Sequence, residues 1–264
     1  MTDNHPRVQS QTDMMDPARA RALQAMLGET PSITSGDALP PFAHHIYFWD
    51  AQPVQDLGRD GHPAKGQFIP DLGLPRRMWA AGKLVFHKPL LAGIKAEKTS
   101  TVEGVTRKDG RSGPLAFVRV RHDFRQRQSL ALTEWQELVY RQDKPETAPQ
   151  VPMAATDEDI SVPIGFDSTT LFRYSALTFN GHRIHYDESY ARKVEGYDGL
   201  VVHGPLLAHL LMGLARAQLG ALRAFSYRAT APLMHHETAT LCWKNGRAWV
   251  RGPDGRQCMA AEAS

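Results

Sequence analysis

Residues 203–219, HGPLLAHLLMGLARAQL, place the tightest constraint on what this chain can fold into. Leu206, Leu207, Leu210, Leu211, Met212, Leu214 and Leu219 lie nearly all around a helical wheel. A helix apolar on most sides has to be buried on most sides. Four strand-like runs follow it, Arg223–Thr230, Thr238–Trp243, Arg247–Arg251 and Gln257–Ala261. Lys244-Asn245-Gly246 and Pro253-Asp254-Gly255 are turn sequences between them. A central helix wrapped by a curved antiparallel sheet satisfies both features, which makes the expected class α+β.

The segment before this helix predicts a strand at Ser161–Phe166, a helix over 167–177 and a second short helix near Glu188–Val194. The first half has a related order. Asp16-Pro17 before ARARALQAML reads as a capped helix start with Pro in the first turn. The stretch Gly58–Pro75 reads as loop, and Lys83–Lys88, Ile94–Arg107, Leu115–Phe124 and Leu130–Tyr140 as strands. Lys108-Asp109-Gly110 predicts a tight hairpin turn. Pro89-Leu90-Leu91 and Pro232-Leu233-Met234 echo one another, each ahead of a threonine-rich β run. Together these suggest a duplicated unit, with halves at 1–142 and 161–264. Residues 143–160, with three prolines and five acids, read as the linker.

Composition narrows the function classes. Lys plus Arg (31) exceeds Asp plus Glu (28) by three, with no basic stripe or recognisable binding motif, so no nucleic-acid partner is expected. Two cysteines, Cys242 and Cys258, exclude a disulfide framework and a four-cysteine zinc site. No apolar run reaches the ~18 residues of a membrane span. The acidic N-terminus, with Asp3, Asp13 and Asp16, lacks the apolar core of a secretion signal, so the expected compartment is the cytoplasm.

The loop YSALTFNGHRIHYD gathers Asn180, His182, Arg183 and His185. Sixteen residues after Tyr186 comes Val202-His203-Gly204-Pro205, which opens the apolar helix. A helix start leaves backbone N–H groups unpaired at the positive end of the dipole, a setting that favours a developing oxyanion. A base beside such a site is what proton transfer next to a carbonyl requires. Read on residues alone, this is a possible acid–base site and no more. Asp187 suits a helix N-cap, Trp79 suits packing, and His235-His236 suits an exposed turn. His182 and His185 lack a third ligand at a recognisable spacing, so no metal is expected.

Tyr174-Ser175-Ala176-Leu177-Thr178, Ile184-His185-Tyr186-Asp187, Tyr190-Ala191 and His203-Gly204-Pro205-Leu206-Leu207 together resemble the signature of MaoC-like hydratases and dehydratases. Leu57-Gly58, Asp60-Gly61-His62-Pro63, Gly66, Phe68 and Leu74-Pro75-Arg76-Arg77-Met78-Trp79-Ala80 resemble the mesaconyl-C4-CoA hydratase-type members, with mitochondrial-type 3-hydroxyacyl-thioester dehydratases similar in layout. The resemblance implies a double hot-dog, each half a curved antiparallel sheet around a central helix, the first half degenerate. It also implies reversible addition of water to a 2-enoyl-CoA, with His185 as base and acid. The Gly204 N–H would bind the thioester oxygen, while His203 and Tyr174 would line the substrate. Arg76, Arg77 and Arg183 are candidates to hold a substrate carboxylate such as that of a mesaconyl or itaconyl group. For Arg76 and Arg77, a domain interface or CoA phosphates are equally open roles. The substrate would bring its own CoA, no further cofactor is implied, and the expected assembly is a homodimer.

One departure stands out. The family motif has Asp five residues before its His; here that position is Asn180, and His182 and Arg183 replace an Asn-Pro pair. An amide can orient water but cannot take its proton. The alternatives are therefore a dehydratase of fatty-acid synthesis on ACP or CoA carriers, or a silent acyl-CoA-binding protein. A thioesterase with its acid on the central helix is disfavoured, because residues 203–219 contain no Asp or Glu.

Overall fold

Period-two burial builds the framework. In the strand Gly113–Gln126, every second residue from Ala116 to Gln126 is buried. The computed structural model describes residues 7–64, 66, 68–110, 113–142 and 151–264. The first half holds β1 (Val8–Asp13), α1 (Pro17–Met26), β2 (Arg76–Phe86), β3 (Ala96–Gly110), β4 (Gly113–Gln126) and β5 (Ser129–Arg141). The second holds β6 (Ile160–Ile164), α2 (Ser168–Thr178), α3 (Glu188–Tyr190), α4 (Gly204–Leu219), β7 (Ala224–Ala229), β8 (Ala239–Lys244), β9 (Arg247–Arg251) and β10 (Gln257–Ala263).

These strands form one ten-stranded sheet in the order β1-β3-β4-β5-β2-β7-β10-β9-β8-β6. The pairings are antiparallel throughout. Matching β1–β5 with β6–β10 in order makes the two ends of that list mirror one another. The fold is a double hot-dog whose halves are fused through the β2–β7 pair, Ala81–Val85 against Ala224–Arg228. The short sequence echo marks equivalent places. Ala38 bridges Leu91 as Val201 bridges Met234, and Leu39 N–H donates to Leu90 O as Val202 N–H donates to Leu233 O, each at 2.8 Å.

That correspondence locates the difference between the halves. In the second half the next residues enter α4, whose Leu206, Leu207, Ala208, Leu211, Met212 and Ala215 are buried against the sheet. In the first half the same place holds a single 3-10 turn, Ala43–Ile46. The missing helix leaves a cavity of about 370 Å³ that reaches from this turn to Thr178 and Phe179 at the end of α2.

Local details depart from the sequence reading in several places. Lys108, Asp109 and Gly110 do not form the hairpin turn; they continue β3 opposite Leu115, Pro114 and Gly113, and residues 111–112 lie outside the described residues. The strand expected at Lys83 begins at Arg76, because a bulge between Trp79 and Ala81 carries pairing with β5 down to Arg76–Arg141. Of the expected linker, 143–150 lie outside the described residues, while the remainder is tied to the second half. Trp249 Nε1 donates to Ala155 O at 3.0 Å, and Glu158 pairs with Arg251 at 2.5 Å.

At the seam the two halves touch closely. A Cβ on Gly82 would lie 2.5–2.7 Å from the hydroxyl and ring of the buried Tyr227. Gly82→Ala is expected to cost about 1–3 kcal/mol through overpacking. A denaturant titration checks this, and unchanged stability would show that the seam is loosely packed.

Candidate active site

Residues 180–187 leave α2 in a tight descent. Phe179 takes a left-handed conformation at the helix end, and Asn180 N–H donates to Ser175 O at 2.8 Å. The Asn180 Oδ1 then accepts from the His182 N–H at 3.0 Å. A 3-10 turn, Arg183–His185, places His185 under the start of α4, where it is buried. Its Nδ1 lies 2.7 Å from the Val201 carbonyl. A carbonyl only accepts, so Nδ1 carries the proton and Nε2 is left as the basic nitrogen. Burial, and to a lesser degree facing His62, lower the His185 pKa to about 4, although the Val201 bond opposes this. The ring is therefore neutral at pH 7.

His203 lies behind it. The two rings stack at 3.7 Å and 19°, and His203 Nε2 shares a 2.8 Å hydrogen bond with Ser175 Oγ. His203 is fully buried, and the Tyr174 ring meets it edge-on at 4.9 Å. The Tyr174 hydroxyl is buried with no hydrogen-bond partner among the described residues. Both residues thus back the His185 ring rather than line an open surface. Gly204 is different. It begins α4, His203 contributes no side-chain cap, and a Cβ on Gly204 would meet nothing within 4 Å. A helix start leaves its first N–H groups without intrahelical partners at the positive end of the dipole, and Pro205 leaves the Gly204 N–H as the donor next to His203.

The three arginines separate. Arg76 binds Glu195 through Nε at 2.6 Å and through a contact to the Glu195 carbonyl, at a nearly buried site. Arg183 binds Asp187 Oδ2 at 2.7 Å, lies over the Tyr190 ring and donates to Arg59 O. Internal carboxylates thus occupy two of the three expected anion clamps. Asp187 also caps α3, its Oδ1 accepting from Tyr190 N–H at 2.9 Å. Arg77 remains on the cavity wall, and its charge acts on His62 and Tyr140.

Two clusters did not emerge from the residue-by-residue reading. On the cavity wall, Glu134 receives His44 Nε2 and His45 Nε2 at 3.0 Å each, with Lys98 beside it. Burial would raise the Glu134 pKa, but the two imidazoles outweigh it and hold the carboxyl well below its ordinary range. The available signal was a glutamate among the inward-facing residues of β5, opposite a His-His pair. In the second cluster, Asp60 Oδ2 lies 3.2 Å from His62 Nδ1, and the His62 ring is 4.4 Å from that of His182. Each cluster has donor atoms within 4.8 Å of one another, close enough to hold a metal. In each, however, an imidazole nitrogen already faces the carboxylate at hydrogen-bond distance.

Residues 42–235 match the family described as hydroxyacyl-thioester dehydratase type 2. The chain belongs to that family. It is 44% identical over 253 residues to the mesaconyl-C(4)-CoA hydratase of Chloroflexus aurantiacus, covering 92% of this chain and 90% of the relative. It is 26% identical over 241 residues to the mitochondrial hydroxyacyl-thioester dehydratase type 2 of Schizosaccharomyces pombe, covering 81% and 80%. Among solved structures, a MaoC-like dehydratase from Phytophthora capsici superposes with a TM-score of 0.70 at 14% identity, covering 98% and 95% of the two chains. A double-hotdog protein from Mycobacterium tuberculosis gives 0.61 at 13% identity, covering 100% and 96%. As a member of that family the protein is a hydro-lyase of acyl thioesters. Among its described residues, no helix is long and apolar enough to cross a membrane.

Burial gives the protein a pH signature. His44, His62, His122, His182, His185, His203 and His209 all have lowered pKa values, with desolvation the first cause in each. Below the ordinary histidine pKa near 6.5 the unfolded chain binds protons that the folded chain refuses, so stability falls as pH falls. Each such histidine contributes up to about 1.4 kcal/mol per pH unit in that window. The unfolding midpoint is expected to drop steeply between pH 6.5 and about 4, with net proton uptake on unfolding. Calorimetry in buffers of different ionisation enthalpy measures that uptake, and a flat midpoint across this range would contradict the buried-neutral assignment.

Proposed function

We propose that this protein reversibly hydrates a short 2-enoyl-CoA whose acyl group carries a carboxylate, of the mesaconyl-C4-CoA or itaconyl-CoA kind. The observation that carries the reading is Arg77. It lines the cavity, and its positive charge acts on His62, next to the acid–base histidines. In a mesaconyl-C4 thioester the free carboxylate is bonded directly to Cβ. Its cation must therefore stand beside the reacting centre rather than at the end of a long tunnel. The 44% identity to a mesaconyl-C(4)-CoA hydratase supports the same class.

The chemistry follows from the geometry. The thioester oxygen points at the Gly204 N–H, where the start of α4 stabilises the enolate charge that grows as water adds. His185 Nε2 takes the water proton, its tautomer fixed by Val201. His203 and Ser175 hold the ring in plane. The α4 residues GPLLAHLLMGLARAQL contain no carboxylate, which disfavours a thioesterase built on that helix. The polar cavity wall of His44, His45, Lys98 and Glu134 likewise disfavours a long alkyl chain, the substrate of a fatty-acid dehydratase.

Loss of enoyl-thioester absorbance on mesaconyl-C4-CoA and crotonyl-CoA tests the assignment. His185→Ala is expected to cost about 10²–10⁴-fold on any substrate. Arg77→Gln is expected to lose about tenfold or more in kcat/KM on the carboxylated substrate, the worth of one charge-assisted hydrogen bond. Crotonyl-CoA turnover should change little. Equal losses on both substrates would remove the carboxylate role from Arg77.

A further inference from the structure

Hydration needs two proton transfers, one from water and one to Cα. His185 accounts for one base. The position where the family motif carries a carboxylate holds Asn180, and the Asn180 Oδ1 is engaged by the His182 N–H. The first half brings a carboxylate to the histidine loop by another route. In the turn Asp60-Gly61-His62, Asp60 Oδ1 accepts from His62 N–H at 3.1 Å and Oδ2 lies 3.2 Å from His62 Nδ1. The Asp60 carbonyl accepts from Arg183 N–H at 2.9 Å, so this turn is stitched to the histidine loop of the second half.

Two glycines permit the approach. Gly61 has φ +83°, and a Cβ there would lie 2.0 Å from Gly181 O, while a Cβ on Gly181 would lie 2.6 Å from Gly61 O. Side chains at either position would force apart the residues that flank them, Asp60 and His62 on one side and Asn180 and His182 on the other. The result is a row of imidazoles with ring separations of 4.4 Å for His62–His182, 5.4 Å for His182–His185 and 3.7 Å for His185–His203. Asp60 stands at one end of it.

We propose that His62 is the second acid–base group of the hydration, delivering the proton to Cα, and that Asp60 is its positioning carboxylate in place of one at position 180. The step balances. His185 Nε2 takes a proton as the O–H bond of water breaks and the O–Cβ bond forms. The π pair of the Cα=Cβ bond moves into the thioester as an enolate. The proton taken from water is passed to His62, forming an imidazolium against the Asp60 carboxylate, and His62 Nε2 gives it to Cα. One water is consumed and every imidazole returns to neutral. Burial keeps His62, His182 and His185 neutral at rest, and Asp60 offsets that cost at His62. The charges facing His62 are Asp60 on its own loop, Arg77 from β2, and His182 and His185 from the second half.

The proposal rests on the hydro-lyase reaction and not on which acyl group is carried. The assay therefore uses the 2-enoyl-CoA that the unaltered protein turns over fastest, with deuterium exchange at Cα of the 3-hydroxyacyl-CoA as second readout. His62→Gln is expected to lower kcat by about 10²–10⁴-fold and α-exchange in step, with KM little changed. Asp60→Asn is expected to lower both, and Asp60→Asn/Asn180→Asp to recover part of the loss by returning the carboxylate to its motif position. Should Asp60→Asn fail to fold, His62→Gln, which keeps the Asp60 turn, carries the test. These losses act at Cα and should be alike on carboxylated and neutral substrates, unlike the Arg77→Gln loss. A folded His62→Gln protein that keeps kcat and α-exchange near the unaltered values would overturn the proposal. So would activity that a chelator abolishes and zinc restores.

Discussion

The antiparallel pairing of β2 with β7 is the contact on which the rest of the molecule depends. It makes two five-stranded sheets into one and sets the loops of one half over the helices of the other. Gly82 permits the seam by leaving room for the Tyr227 ring. The seam and the bond from Arg183 N–H to Asp60 O together hold Asp60 and His62 against His182, and the seam strand β2 itself carries Arg77. Residues of both halves meet at the histidine row, and the first half has one 3-10 turn where the second has its central helix. The cavity lies beside that turn, and Arg77 on its wall acts on His62.

Electrostatics inside this site follow from burial. Four imidazoles in a row would repel one another if charged, and desolvation already penalises each charge. The protein holds them neutral, fixes one tautomer with the Val201 carbonyl, and keeps Asp60 ionised at the end of the row despite its burial, through the hydrogen bonds it accepts from His62. A neutral, oriented imidazole beside a helix start is suited to taking a proton while the thioester oxygen gains charge. The same arrangement makes the fold sensitive to acid, so function and pH lability have one origin.

Much of this was legible in the sequence because the second half obeys local rules. The all-round apolar 203–219 segment became α4, the Asn245-Gly246 turn joins β8 to β9, and Asp16 caps α1. The Pro-Leu-Leu and Pro-Leu-Met echo marked equivalent bridges in the duplicated unit. What escaped was non-local. β1, VQSQTD, is a polar edge strand paired only to β3 and shows no apolar alternation. The Arg76–Ala80 end of β2 is held by a bulge and its partner strand, not by its own pattern. Asp60, His62, His44, His45 and Glu134 acquire meaning only when strands and loops far apart in sequence meet. The arginines show the converse: Arg76 and Arg183 fit a substrate clamp by type, but Glu195 and Asp187, placed by the fold, already hold them.

The central claim is that this site adds water across a carbon–carbon double bond and leaves the thioester intact. Mass spectrometry of the product formed from mesaconyl-C4-CoA in oxygen-18 water tests it most directly. The account predicts one labelled oxygen in a 3-hydroxyacyl group still joined to CoA. Label in the carboxylate of a released free acid, with CoA set free, would contradict it.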